Sequence, residues 1–233
     1  MGKFADAIRD RRKSRQRRLG FGAAVEERQP SMLVGTVGVV DGADFCLAFS
    51  ESDEADMQSA GVELWGARLE TLTTENVAAA KERGAAFVSF VIEGARADAM
   101  LDEDIDYVVR LAGPRIDEAD ARALGSMRPA EIAVPLQFPL SLQSVLDVRR
   151  LALFASVPMG TVCPTDISAG DIEALRDSGF ALLALAPGAS AEDVAAVKQR
   201  ILDLPERKSK RDEDAQPLIP SVRAGSEDGA GEE

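Results

Sequence analysis

Between Ser31 and Leu204 the chain repeats one phrase: a short apolar run, a break with Ser, Thr or Asp, a helical stretch, a Gly, then the next apolar run. Residues 73–92 (TTENVAAAKERGAAFVSFVI) and 168–187 (SAGDIEALRDSGFALLALAP) state it most plainly, aligning as cap, helix, Gly and strand. Such alternation predicts helices packed around a parallel sheet, because a crossover must return the chain before the next parallel strand can pair. The runs FVSFVI and ALLALA are almost unbroken in apolar residues, as strands buried on both faces are.

Strands are predicted at 32–38, 43–49, 64–69, 86–92, 106–111, 131–136, 157–163 and 181–186, enough to close a barrel. Thr73 or Thr74 caps a helix ending at Gly84, and Ser141 opens one running to Ala155. Ser168 with Asp171, and Ser190 with Asp193, make capping boxes before two more. Ile172 and Leu175, and Val194, Val197, Ile201 and Leu204, recur at the spacing that packs one helix face on a sheet. The fold expected is α/β: a compact (β/α)8 TIM-like barrel with some abbreviated helices. Its weakest joint is at 39–42, too short for a crossover helix, so the first two strands form a hairpin or the first is wrongly bounded. Residues 51–63 and 94–104 read as irregular, acidic, Ala-rich connections.

The barrel is assigned to 23–205, between a basic helical arm and hinge at 1–22 and a disordered charged tail at 206–233 that carries a Leu218-Ile219 pair. Within residues 3–18, Lys3, Arg9, Arg11, Arg12, Lys13, Arg15, Arg17 and Arg18 face only Asp6 and Asp10. Phe4 and Ile8 share a helix face, so the first turns of the arm are expected to pack on the body, and Leu19 and Phe21 are candidates to plug the bottom of a barrel. The alternative is an arm that docks on an anionic membrane surface or nucleic acid.

Net charge is −13 and the chain has no His. That excludes Ser-His-Asp, Cys-His and His-ligated zinc chemistry within this chain. Cys46 and Cys163 sit in apolar strand candidates without metal-ligand spacing, so neither a disulfide framework nor a metal site is assigned. No charge-free run is long enough to cross a bilayer, and a soluble, cytoplasmic protein is expected, with homo-oligomerisation left open.

Ligands of parallel α/β folds bind at the carboxyl ends of the strands. Arg68 and Arg110 stand near such ends, and a guanidinium fork in a half-buried mouth suits a carboxylate or phosphate. The competing reading pairs them internally with Glu63, Glu70 or Glu93. Gln137 follows the sixth strand, and the Gly188 to Ser190 turn after the eighth is either an anion cradle or an ordinary helix cap. Glu70, Glu93 and Asp166 are the carboxylates placed for lyase or isomerase chemistry, against the plainer reading as solvated loop residues. Cys163 reads as an inert buried thiol before a nucleophile, and Trp65 as packing before ligand stacking.

Gly42-Ala43-Asp44-Phe45 entering the second strand, together with the unit at 168–186, resembles the aldolase-type (β/α)8 barrels, which include phosphate- and flavin-binding members. The resemblance covers most of 31–204 and rests on architecture. Flavin members typically carry a Gly-Gly pair after the seventh strand and Gly-Arg or Gly-Thr after the eighth. Neither stands here, which demotes FMN. No strand offers a Lys for Schiff-base chemistry, since Lys81 and Lys198 fall on helices. Two functions follow: a barrel that binds a small anionic metabolite at its mouth, with or without lyase or isomerase activity, or a non-catalytic scaffold that docks through its basic arm.

Overall fold

The computed structural model describes residues 2–16 and 29–205, and the expected hinge pair Leu19 and Phe21 and the tail at 206–233 lie outside them. Eight parallel strands close into a barrel in chain order. They are β1 (Leu33–Val37), β2 (Phe45–Ala48), β3 (Trp65–Arg68), β4 (Phe87–Val91), β5 (Asp106–Arg110), β6 (Glu131–Ala133), β7 (Met159–Cys163) and β8 (Phe180–Leu185). Outside them run α2 (Glu51–Ser59), α3 (Thr74–Glu82), α4 (Glu118–Met127), α5 (Leu142–Ala155), α6 (Ala169–Asp177) and α7 (Ala191–Leu202), with a 3-10 turn at Ala97–Leu101; α1 (Lys3–Gln16) precedes the barrel.

Every strand expected from the repeat is present, seven trimmed at one or both ends and the eighth displaced by one residue toward the amino terminus. The doubtful joint is resolved as parallel: β1 pairs with β2 with Gly35 opposite Phe45 and Val37 opposite Leu47. A short return suffices because β2 begins beside the third residue of β1, so the connection descends only about two residues, roughly 7 Å. Asp44 secures it. Its carboxylate accepts from the Val34 N–H (2.8 Å), Lys198 Nζ of α7 (2.7 Å) and Arg11 of α1 (3.4 Å), tying two helices to the strand pair.

Two connections that read as irregular are ordered. Residues 51–59 form α2, opened by a full capping box between Ser50 and Asp53. Its apolar signal is faint because its buried face is Met57 plus Glu54, which pairs with Arg83. Residues 97–101 form the 3-10 turn, on whose Ala99 carbonyl the Tyr107 hydroxyl donates at 2.7 Å.

The core has two bodies. Outward strand residues such as Val34, Trp65, Val88, Phe90, Ile132 and Leu183 pack under the helices. Inward residues Leu33, Phe45, Phe87, Val108 and Leu182 fill the lower barrel together with Phe4 and Ile8 of α1. Phe4 stacks on Phe87 (centroids 3.9 Å apart) and meets Phe45 edge-on at 5.6 Å. The bottom is therefore plugged by the first turns of the arm. Asp106, the first residue of β5, caps the plug by accepting from the N–H groups of Gly2 (3.1 Å) and Ala5 (2.9 Å).

Candidate functional site

Strand alternation and register decide what the barrel interior offers. Inward side chains come in layers contributed by alternate strands. Around this barrel the register steps one residue per strand, which sets Val37, Arg68, Arg110 and Val162 at one height near the mouth. One residue lower lie Leu47, Ser89, Ala133 and Ala184, followed by Gly35, Gly66, Val108 and Gly160. The glycines are there because the layer beneath is large. A Cβ at Gly35 or Gly66 would run into the Phe45 or Phe87 ring, and one at Gly160 into the Glu131 carboxyl. The lower barrel is solid, and inward side chains first reach solvent in the layer of Leu47 and Ala133, with Arg68 and Val162 exposed above it.

Arg68 and Arg110, on alternate strands of one layer, are the charged inward strand residues of that open end. Arg68 lays its guanidinium over the Phe49 ring, 5.2 Å from its centroid. Arg110 reaches across β4 to donate through Nη2 to the Leu69 carbonyl at 3.1 Å, and its Nε is buried with no acceptor. Neither forms an ion pair among the described residues. Burial, then the neighbouring Arg68 charge, holds the Arg110 guanidinium below its ordinary value, with Glu70 acting in the opposite sense. Two like charges share a mouth without a counter-charge in contact.

The other expected residues are dispersed. Glu70, Glu93 and Asp166 lie exposed on the loops after β3, β4 and β7. Gln137 lines a 310 Å³ cavity with Ala112, Gly113, Pro114, Pro135, Leu136 and Ser144, between the loops that follow β5 and β6. Gly188 turns the chain at φ +88, and Ser190 is committed to Asp193: its hydroxyl accepts from the Asp193 N–H, and its own N–H donates to the Asp193 carboxylate at 2.8 Å. That turn is a helix cap. Asp171 does not complete its box, because its carboxylate accepts instead from the Leu140 N–H at 3.0 Å.

Cys163 faces the helices, 1% exposed, and burial pushes its thiol up to about 12, so it stays protonated. Trp65 is packed in the outer core. Among the described residues no group of His, Cys, Asp or Glu side chains is arranged to hold a metal ion. The loops after β7 and β8 carry neither a Gly-Gly nor a Gly-Arg or Gly-Thr pair, and the two helices that follow them are capped by Ser168 and Ser190.

Sequence reasoning did not single out Glu131. It stands on the inward face of β6 below Gly160, buried, and its carboxyl makes no hydrogen bond among the described residues. Burial raises its carboxyl to about 8. A Glu opening an otherwise apolar strand candidate was the available signal.

No protein-family model matches the chain, and no curated protein matches it by sequence. Solved structures do match in shape. 3-Keto-L-gulonate-6-phosphate decarboxylase from Vibrio cholerae O1 biovar El Tor str. N16961 superposes with a TM-score of 0.60 at 12% identity, covering 75% of this chain and 98% of that one. 3-Hexulose-6-phosphate synthase gives 0.54 at 13% identity, with 73% and 99% covered. Orotidine 5'-monophosphate decarboxylase from Methanocaldococcus jannaschii gives 0.52 at 11% identity, with 75% and 99% covered. At such identities the likeness speaks for fold alone: the chain is a closed (β/α)8 TIM barrel.

Proposed function

We propose that this barrel binds a small organic anion at the carboxyl end of its strands, with Arg68 and Arg110 as the anion-holding groups. The observation that carries the reading is the pair of guanidiniums in one inward layer, free of carboxylate partners, one with a buried N–H left over. Holding two like charges together while stripping one of water is unfavourable, and an anion between them offsets both costs. The similar barrels named for sugar-phosphate and nucleotide-phosphate reactions are compatible with an anionic ligand here.

Binding without chemistry is the form we favour. At strand positions facing the open mouth there is no carboxylate, Lys or thiol, so an acid or base would have to come from Glu70, Glu93 or Asp166 on the loops. The arm is proposed as a structural plug before an anchor, since Phe4 and Ile8 are spent on the barrel.

The test is a thermal-shift panel of phosphorylated and carboxylated metabolites on the full chain, with Arg68→Ala and Arg110→Ala alongside. Stabilisation by a subset of anions, lost in both variants, is expected. Stabilisation that survives both substitutions, or none by any anion, overturns the proposal.

A further inference from the structure

The bowl that holds the two arginines is otherwise apolar. Its floor is Leu47, Ala133 and Ala184 with Ser89, and Val37, Val91 and Val162 rise around it with Phe49 just beyond β2. Val162 is 40% exposed although both its strand neighbours are buried, and Phe49 is 39% exposed. Large apolar side chains left open at the one end where the barrel admits a ligand are surface that a ligand can cover.

A sugar phosphate brings a hydroxyl on nearly every carbon, and each one taken from water needs a hydrogen-bond partner. The facing strands supply a single hydroxyl, on Ser89, and no amide or carboxylate. An eight-stranded barrel is wide enough inside for little more than its own side chains, so a body that enters is about one ring or one chain across. The Arg68 guanidinium lies over the Phe49 ring and makes no hydrogen bond among the described residues. The ring that orients this head-group donor is also part of the apolar wall.

We infer, building on the anion site proposed above, that the mouth takes an organic anion with an apolar body no wider than one ring, its carboxylate or phosphate held between Arg68 and Arg110 and its body laid against Val37, Val162 and Phe49. Phe49 touches both head-group donor and body, whereas Val162 meets the body alone. Substitution at Val162 therefore separates the two.

The experiment is isothermal titration calorimetry on the full chain with inorganic phosphate, ribose 5-phosphate, phenyl phosphate and phenylacetate, repeated on Arg110→Ala, Val162→Ser and Phe49→Ser. Phenyl phosphate is expected to bind at least about tenfold tighter than ribose 5-phosphate, the scale of covering one ring's apolar surface after ordering costs. Arg110→Ala is expected to abolish binding of all four probes, whereas Val162→Ser and Phe49→Ser narrow the gap between the two organic phosphates. Equal binding of ribose 5-phosphate and phenyl phosphate, both lost in Arg110→Ala, would leave the anion site standing and overturn this inference. A preference for phenyl phosphate unchanged in Val162→Ser and Phe49→Ser would overturn it as well. Failure of every probe to bind through Arg110 would remove both readings.

Discussion

At the scale of single residues, Glu131 and Gly66 show how tightly the interior is specified. Glu131 keeps its proton to about pH 8 in the fold, where an exposed Glu would release it near its ordinary 4.5. A carboxyl raised on folding stabilises the native state fully below the unfolded value and loses that contribution as pH rises through the folded one. Wild-type stability is thus expected to fall between about pH 4.5 and 8 by up to a few kcal/mol from this group, and Glu131→Gln to flatten that slope. Urea unfolding of both proteins at pH 5 and 8.5 measures it; parallel pH profiles would show that Glu131 ionises freely in the fold. Gly66 has the opposite constraint. Its missing Cβ is the space of the Phe87 ring, so Gly66→Ala is expected to cost about 1–3 kcal/mol in the same assay. An unchanged midpoint would mean the ring has room to move.

At the scale of elements, the arm and the strand joints carry the account. Phe4 is fully buried between two aromatic rings inside the barrel, and Phe4→Ala is expected to destabilise the whole fold by about 3 kcal/mol, not merely to release a helix. Asp44→Ala should cost about 2 kcal/mol by leaving the Val34 N–H without its acceptor and Lys198 with the Gly42 carbonyl alone. Denaturant midpoints check both, and a Phe4→Ala protein as stable as wild type would show that the plug is dispensable. The eight strands were legible because a strand buried on both faces writes an apolar run that local sequence cannot hide. The plug was half legible: the Phe4 and Ile8 pair announced a docked face, but not that it enters the barrel. Helix α2 was missed because its buried face includes Glu54, whose partner Arg83 is far away in sequence. Its Ser50 and Asp53 capping box was the signal that stood in the chain. Whether β1 and β2 pair parallel depended on stagger, which only closure of the barrel determines.

At the scale of the molecule, the barrel is a closed scaffold whose lower half is solid and whose upper end is an apolar bowl with two guanidiniums. The chain carries a net charge of −13, so long-range forces repel an anion and recognition must be short-range. Arg68 and Arg110 stood out in the sequence as charges on apolar strands; that they share a layer and lack carboxylate partners follows from register, which no local pattern contains. The dispersal of Glu70, Glu93 and Asp166 over separate loops was equally invisible before closure. The most direct test of the central claim is the side-chain Nε–H signal of Arg110 in nitrogen-15 NMR of the full chain, assigned by its disappearance in Arg110→Lys, during titration with phenyl phosphate. The buried N–H that lacks an acceptor is expected to shift and to gain protection from solvent exchange as the anion saturates the mouth. An Arg110 signal that stays in place while the protein saturates would contradict the account.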